Sequence, residues 1–226
     1  MKKHILFILI FSLQLFGFST SNVQLMYGTF NGNSYVFDTK NGGKTTITLE
    51  HYSAFEYGDV YAFLDYCIAD DRFKYHDDKT SEYGELSPRL DLGALTSSDL
   101  SFLFVKKVFA AFQYNTDFHD YKAYLYGIGT ALDVYGFDFF NANLYQKDQV
   151  HGDNVYQVTL SYQTKSFFEL FYINGFTDYT EKNLLSQNQF LHPFGDNLSA
   201  GVEWHYYTQD PDITSNVFQV MLKYKW

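Results

Sequence analysis

Residues Asn216 to Trp226 read NVFQVMLKYKW and alternate without a slip. Asn216, Phe218, Val220, Leu222, Tyr224 and Trp226 fall on one face of an extended chain, and Val217, Gln219, Met221, Lys223 and Lys225 on the other. A period of two marks a strand, because successive side chains leave opposite faces of the pleat. The first face is apolar from Phe218 to the carboxyl end, and the second ends in lysines. In a soluble sheet the apolar face would pack on a core. In a barrel that crosses a membrane it would face lipid while the polar face lines water.

This segment resembles the closing strand of bacterial outer-membrane barrels, which typically ends in an aromatic residue. The resemblance implies an integral protein of the outer membrane of a Gram-negative bacterium, with membrane lipids and lipopolysaccharide around it. It also implies handling by the barrel-assembly machinery through Trp226. The other end of the chain agrees. Lys2 and Lys3 precede a mostly apolar run from Ile5 to Phe18, and Ser19-Thr20-Ser21 follows as a small-x-small site. The run is too short to span a bilayer, so residues 1–21 are expected to be a secretory signal peptide and 22–226 the barrel. No later stretch approaches 18 consecutive apolar residues.

Composition bounds the rest. Aromatic residues make up 21% of the chain, with 24 Phe and 21 Tyr, an excess that girdles at two membrane interfaces would explain. Three prolines suit a chain made largely of strands. Mean hydropathy is −0.25, which is no argument against a barrel whose strands turn half their side chains to water. Cys67 stands alone, which excludes an intramolecular disulfide and a thiolate metal cluster. Without Lys2 and Lys3 the 16 basic residues fall to 14 against 26 acidic, a net charge of −12. Nucleic acid is therefore not an expected partner, and an acidic lumen or rim would disfavour anionic solutes.

Turn signals recur from the carboxyl end at Thr208–Thr214, His192–Asp196, Asp178–Asn183, Thr164–Ser166, Lys147–Asp153, Val134–Gly136, Asn115–Asp120, Leu95–Asp99, Ala69–Ser81 and Tyr57–Asp59. They delimit eleven segments from about Thr45, mostly of the length of a tilted membrane strand. With Trp226 at the periplasmic end, alternate connections fall outside, and these are generally the longer ones. A twelfth strand must then rise before Thr45. Val23–Phe37 supplies it, with Asp38–Lys44 as an external loop. The predicted fold is all-β: a closed antiparallel up-and-down transmembrane barrel of 12 strands, the even number that single-chain bacterial barrels use. A secreted β-sandwich is the rival reading. Even strand lengths, loops rich in Asp and Lys and the terminal aromatic favour closure, which removes sheet edges.

Glu85–Phe102 reads ELSPRLDLGALTSSDLSF. With Lys106, Tyr124–Gly129 (YLYGIG), Asn143–Lys147 (NLYQK) and Trp204-His205, it resembles the Tsx-type nucleoside-specific channels of the outer membrane. The resemblance extends in order from about Thr45 to Trp226. It implies a narrow barrel that passes nucleosides and deoxynucleosides by passive diffusion, and use as a surface receptor by phages or bacteriocins. The alternatives are a general small-solute porin, a structural or adhesive barrel serving as a surface receptor, and a lipid-modifying barrel enzyme.

A pore selecting a nucleoside needs aromatic faces for the base and polar groups for the sugar. Alternation assigns Glu50, Tyr52, Glu56, Asp65, Glu85, Arg89, Tyr145, Glu203, His205, Tyr207 and Lys223 to the lumen. Tyr52, Tyr145 and Tyr207 are the expected stacking platforms, and Glu50, Glu85, Arg89 and Glu203 the expected hydrogen-bonding partners. Removing Glu203 or Arg89 is expected to alter conductance more than folding. No catalytic residue, metal site or cofactor is expected. There is no HExxH motif, Gly-rich phosphate loop or Cys cluster. Asp70, Asp71, Asp77 and Asp78 read as a solvated external loop. His51 and Ser53 share an outward parity, the one Ser–His pairing of note, and are read as structural.

Overall fold

The structure, a computed structural model, describes residues 17–36, 39–70, 79–209 and 213–226, with 31–36 and 39–41 described in backbone only. Twelve strands follow in chain order: β1 (Phe18–Val36), β2 (Thr39–Phe55), β3 (Gly58–Ala69), β4 (Thr80–Asp91), β5 (Val105–Thr116), β6 (Lys122–Leu132), β7 (Phe137–Gln149), β8 (Val155–Thr164), β9 (Tyr172–Thr180), β10 (Asn183–Phe194), β11 (Leu198–Gln209) and β12 (Ile213–Lys225). Each pairs antiparallel with its chain neighbours, and β1 closes on β12 to complete a barrel. The closing register runs from Asn22 opposite Lys225 to Gly28 opposite Gln219. Backbone bonds between Ser21 and Trp226, at 2.9 and 3.1 Å, fasten the seam at the rim where the chain ends. We call this the terminal rim and the opposite end the distal rim.

The alternation at the carboxyl end is realised side chain by side chain. Phe218, Val220, Leu222, Tyr224 and Trp226 are exposed on the outside of β12, whereas Val217, Gln219, Met221 and Lys223 are buried inside. The same division recurs on the neighbours: Leu25 and Tyr27 face outward on β1, and Asn22, Gln24 and Met26 inward. Around the wall, exposed Ile68, Leu86, Tyr126, Ile128, Leu144 and Val158 make the outer surface apolar. Trp204 also faces outward, stacked 6.5 Å from Phe218, with Nε1 donating to Asn216 at 2.7 Å.

Three segments depart from the sequence reading. Asp38–Lys44 was expected as a loop, but β2 already begins at Thr39. There Gly42 adopts φ 120° within the ladder. A strand that continues above the membrane has polar residues on both faces, so polarity alone does not separate it from a loop. Leu100–Phe104 and Phe167–Phe171, expected as strand, are instead connections at the terminal rim. In the first, the Asp91 carboxylate accepts from the Ala94 amide at 3.1 Å and caps a short helix, α1 (Leu92–Thr96), which ends at Ser97 in the left-handed region. Positive φ at Leu103, Phe168 and Glu169 turns the chain away from the ladder and leaves Leu103 and Phe168 about nine-tenths exposed. Apolar residues in these turns imitate a buried strand in sequence. Residues 1–16 of the expected leader, Asp71, Asp77 and Asp78, and the Pro211 turn lie outside the described residues. Phe18–Ser21 pairs in β1 with Ala54–His51 of β2.

At the distal rim the exposed Lys182 ammonium pairs with Asp153 and holds its carboxyl below the usual range. An ion pair so open to water adds little to stability. The lipid-facing assignment is tested at β8: Val158→Arg and Leu160→Arg should each cost about 2–4 kcal/mol near the membrane midplane. Loss of the heat-modifiable folded band on a denaturing gel would report it, and normal assembly of both variants would invert the faces.

Candidate functional site

The interior has two walls of different character. On β1, β2 and β10–β12 the side chains satisfy one another. Glu50 accepts from Asn22 at 2.7 Å, from the Tyr61 hydroxyl at 2.9 Å and from Lys223 at 3.4 Å. Lys223 also donates to Gln189 at 3.2 Å, and the Gln189 amide donates to Gln24 at 2.8 Å and to Glu203 at 3.0 Å. Glu203 accepts again from Gln219 at 3.0 Å, and Gln24 donates to Asn22 at 3.0 Å. Glu50, Glu203 and Lys223, expected at the lumen from alternation, are thus brought together in one network across six strands. Below it, Met26, Leu191 and Met221 form a small apolar cluster with Tyr172 against it. His205 is buried beside Phe30, ring centres 6.0 Å apart.

Arg89 lies near the terminal rim and makes a bidentate pair with Asp59, with Nε and Nη2 at 2.8 and 2.7 Å from the two carboxylate oxygens. Its guanidinium also sits 4.4 Å above the Phe109 ring. Tyr52 reaches the same Asp59 with its hydroxyl at 3.4 Å. Tyr207 donates to Gln209 at 2.6 Å. Tyr145 is 1% exposed and packed with Ala111, Ala123 and Leu125, its ring covered on the inside of β7. Glu56 is not on the lumen wall: it is exposed in the β2–β3 turn, one residue beyond the end of β2.

The other wall, on β3 and β4 and reaching the loop before β6, holds the most continuous aromatic surface of the interior. Tyr61 and Phe63 have ring centres 6.0 Å apart, Phe63 and Tyr83 5.9 Å, and Tyr83 and Tyr121 6.4 Å with planes within 28°. These four rings are half-buried rather than sealed. Carboxylates run beside them. Glu85 accepts from Tyr83 at 2.7 Å and from Gln113 at 2.9 Å, and Asp65 accepts from Thr48 at 2.5 Å. Sequence reasoning missed this ladder, though the signal was present: Tyr61 and Phe63 share the parity of Asp65, and Tyr83 that of Glu85. Between the rims, Glu50, Asp59, Asp65, Glu85, Asp178 and Glu203 share the interior with Lys44, Arg89, Lys147 and Lys223, leaving carboxylates in excess.

On the outer face of β2 the His51 ring lies between two serines. Nε2 is 2.6 Å from the Ser53 hydroxyl, and Nδ1 is 2.9 Å from the Ser21 hydroxyl of β1. Among the described residues no group of three His, Cys, Asp or Glu side chains is placed to hold a metal ion. Asp70, at the distal rim, accepts from the Gly43 amide at 3.1 Å.

No protein-family model matches the chain, and no curated protein sequence matches it. Among solved structures it is similar to KdgM porin, at a TM-score of 0.54 and 10% identity over 90% of this chain and 98% of that one. KdgM porin in complex with disordered oligogalacturonate matches equally, at 0.54 and 10% over the same shares. The fold of this twelve-stranded barrel is thus similar to that of a porin.

The Arg89–Asp59 geometry bears on the expectation that removing Arg89 alters conductance more than folding. Arg89→Ala leaves a buried carboxylate without its partner and should lower stability by about 3–5 kcal/mol. Urea-unfolding midpoints in detergent would measure the loss, and adding Asp59→Ala should restore part of it.

Proposed function

We propose that this protein is an integral outer-membrane channel that passes nucleosides by passive diffusion, with the terminal rim in the periplasm. In this reading an export leader lies within residues 1–21. The observation that carries the solute class is the half-buried ladder Tyr61–Phe63–Tyr83–Tyr121 with Glu85 and Asp65 beside it. A nucleoside offers a flat base to such rings and hydroxyl groups to such acceptors. Successive rings give several weak sites rather than one tight one, which a channel needs in order to release what it binds.

The similar porin was solved with oligogalacturonate, an acidic oligosaccharide. The excess of carboxylates in this interior disfavours a polyanion and suits a neutral solute. The Tsx-type resemblance points to the same class. The sealed network of β1, β2 and β10–β12 then serves as scaffold, and the solute follows the β3–β4 wall.

Liposome swelling with adenosine against a sugar of equal size tests the reading. Faster entry of adenosine is expected. Equal rates would reduce the protein to a general porin, and no entry at all would leave a structural or adhesive barrel. In planar bilayers, Phe63→Ala and Tyr83→Ala should each weaken adenosine's effect on conductance by about 1–3 kcal/mol of stacking, with the open-channel ion conductance little changed.

A further inference from the structure

A histidine flanked by two serines has no evident place in a lipid-facing wall. His51 and Ser53 stand two residues apart on the outward face of β2, and Ser21 stands opposite His51 on β1. The three side chains form a line: Ser53 Oγ, then His51 Nε2 at 2.6 Å, then His51 Nδ1 and Ser21 Oγ at 2.9 Å. This is the arrangement of a nucleophile, a base and a group that orients the base. Depth matters as well. Ser21 exchanges backbone bonds with Trp226, and Tyr224, Trp226 and Phe55 are exposed around this level of the terminal rim. Aromatic belts settle at the boundary between headgroups and acyl chains, where the ester bonds of a glycerophospholipid lie.

From this geometry we infer a second site, a lipid-facing acyl-ester hydrolase with Ser53 as nucleophile, His51 as base and Ser21 as positioning residue. It rests on the membrane placement of the barrel and on leader cleavage before Ser21, and not on the solute in its lumen. Ser21 accepts from the Nδ1 proton and so leaves the Nε2 lone pair facing Ser53. Ser53 Oγ attacks the ester carbonyl carbon, and its proton passes to Nε2. The bond from that carbon to the glycerol oxygen breaks, and the departing oxygen takes the proton from Nε2. Water then attacks the acyl–Ser53 ester, giving up a proton to Nε2. The acyl–oxygen bond breaks, Ser53 recovers the proton, and a free fatty acid leaves. Ser53 and Ser21 are 8% and 9% exposed, covered by neighbouring protein atoms, so an ester reaches the Ser53 hydroxyl only by displacing those neighbours.

The test uses the full chain extracted from outer membranes in mild detergent. A fluorophosphonate probe should attach covalently to Ser53, located by peptide mass spectrometry. Phosphatidylethanolamine in mixed micelles should release fatty acid. Ser53→Ala and His51→Asn should lower fatty-acid release by at least about 100-fold, the contribution of a positioned base, while heat-modifiability and ion conductance stay as in the parent. Ser21→Ala should reduce probe labelling, and Ser21→Thr should restore it. An unlabelled parent protein, or fatty-acid release that survives Ser53→Ala, overturns the inference and leaves His51 a structural hydrogen-bonding residue. A mature chain found by intact mass to begin at Asn22 overturns it too, because Ser21 would be gone.

Discussion

An extended backbone carries a donor and an acceptor at every residue, and hydrocarbon offers neither a partner. A sheet in lipid therefore has to close. The seam between β1 and β12 is where this constraint is met, and the rest of the molecule depends on it. With the ladder closed, each strand has one face toward acyl chains and one toward the interior, and parity alone decides the solvent of every side chain. The outer face then needs little shape complementarity, so it can be written in scattered Phe, Tyr, Leu and Val. The inner face confines polar groups in a narrow tube, where each must find a partner.

That difference accounts for the division of labour inside. Half the wall is knitted by Glu50, Gln189, Glu203, Gln219 and Lys223, whose bonds cross from strand to strand and hold the tube against distortion. A network this densely bonded is rigid and leaves few groups without a partner, the Gln219 amide oxygen among them. The opposite wall offers aromatic edges and faces instead. Rings accept contact without demanding a fixed hydrogen bond, so they bind weakly and repeatedly. The bonded wall thus supplies stiffness and the opposite wall aromatic surface.

The architecture was legible because it follows from period and parity. The strand count, the closure and the two faces of β12 all come from alternation, and turn chemistry placed most boundaries. The two segments wrongly read as strand share one cause. Leu100–Phe104 and Phe167–Phe171 are apolar yet lie in turns, where left-handed residues such as Leu103 and Phe168 break the period without glycine to announce it. For the interior, parity named the right wall positions but not their state. Nothing in sequence tells that Arg89 is spent on Asp59, or that the Tyr145 ring is covered by Ala111, Ala123 and Leu125, since both depend on the register in which neighbouring strands pair. The ladder at Tyr61, Phe63 and Tyr83 was within reach of parity, and so was Tyr121, which precedes β6 and shares the inward parity of Ala123 and Leu125.

Strand β2 shows how much one alternating segment can hold. Glu50 and Tyr52 point into the barrel and His51 and Ser53 out of it, so adjacent residues meet different solvents. Inside, water and charge let Glu50 act as a shared acceptor for an amide, a phenol and an ammonium group. Outside, the surroundings are apolar and a hydrogen bond between neutral groups is correspondingly strong, which keeps Ser53, His51 and Ser21 in line. A barrel wall one residue thick thus keeps two kinds of chemistry apart without a second domain. The peptide plane between His51 and Tyr52 is the only partition required, and changes on one face can leave the other untouched so long as the ladder between them stays paired.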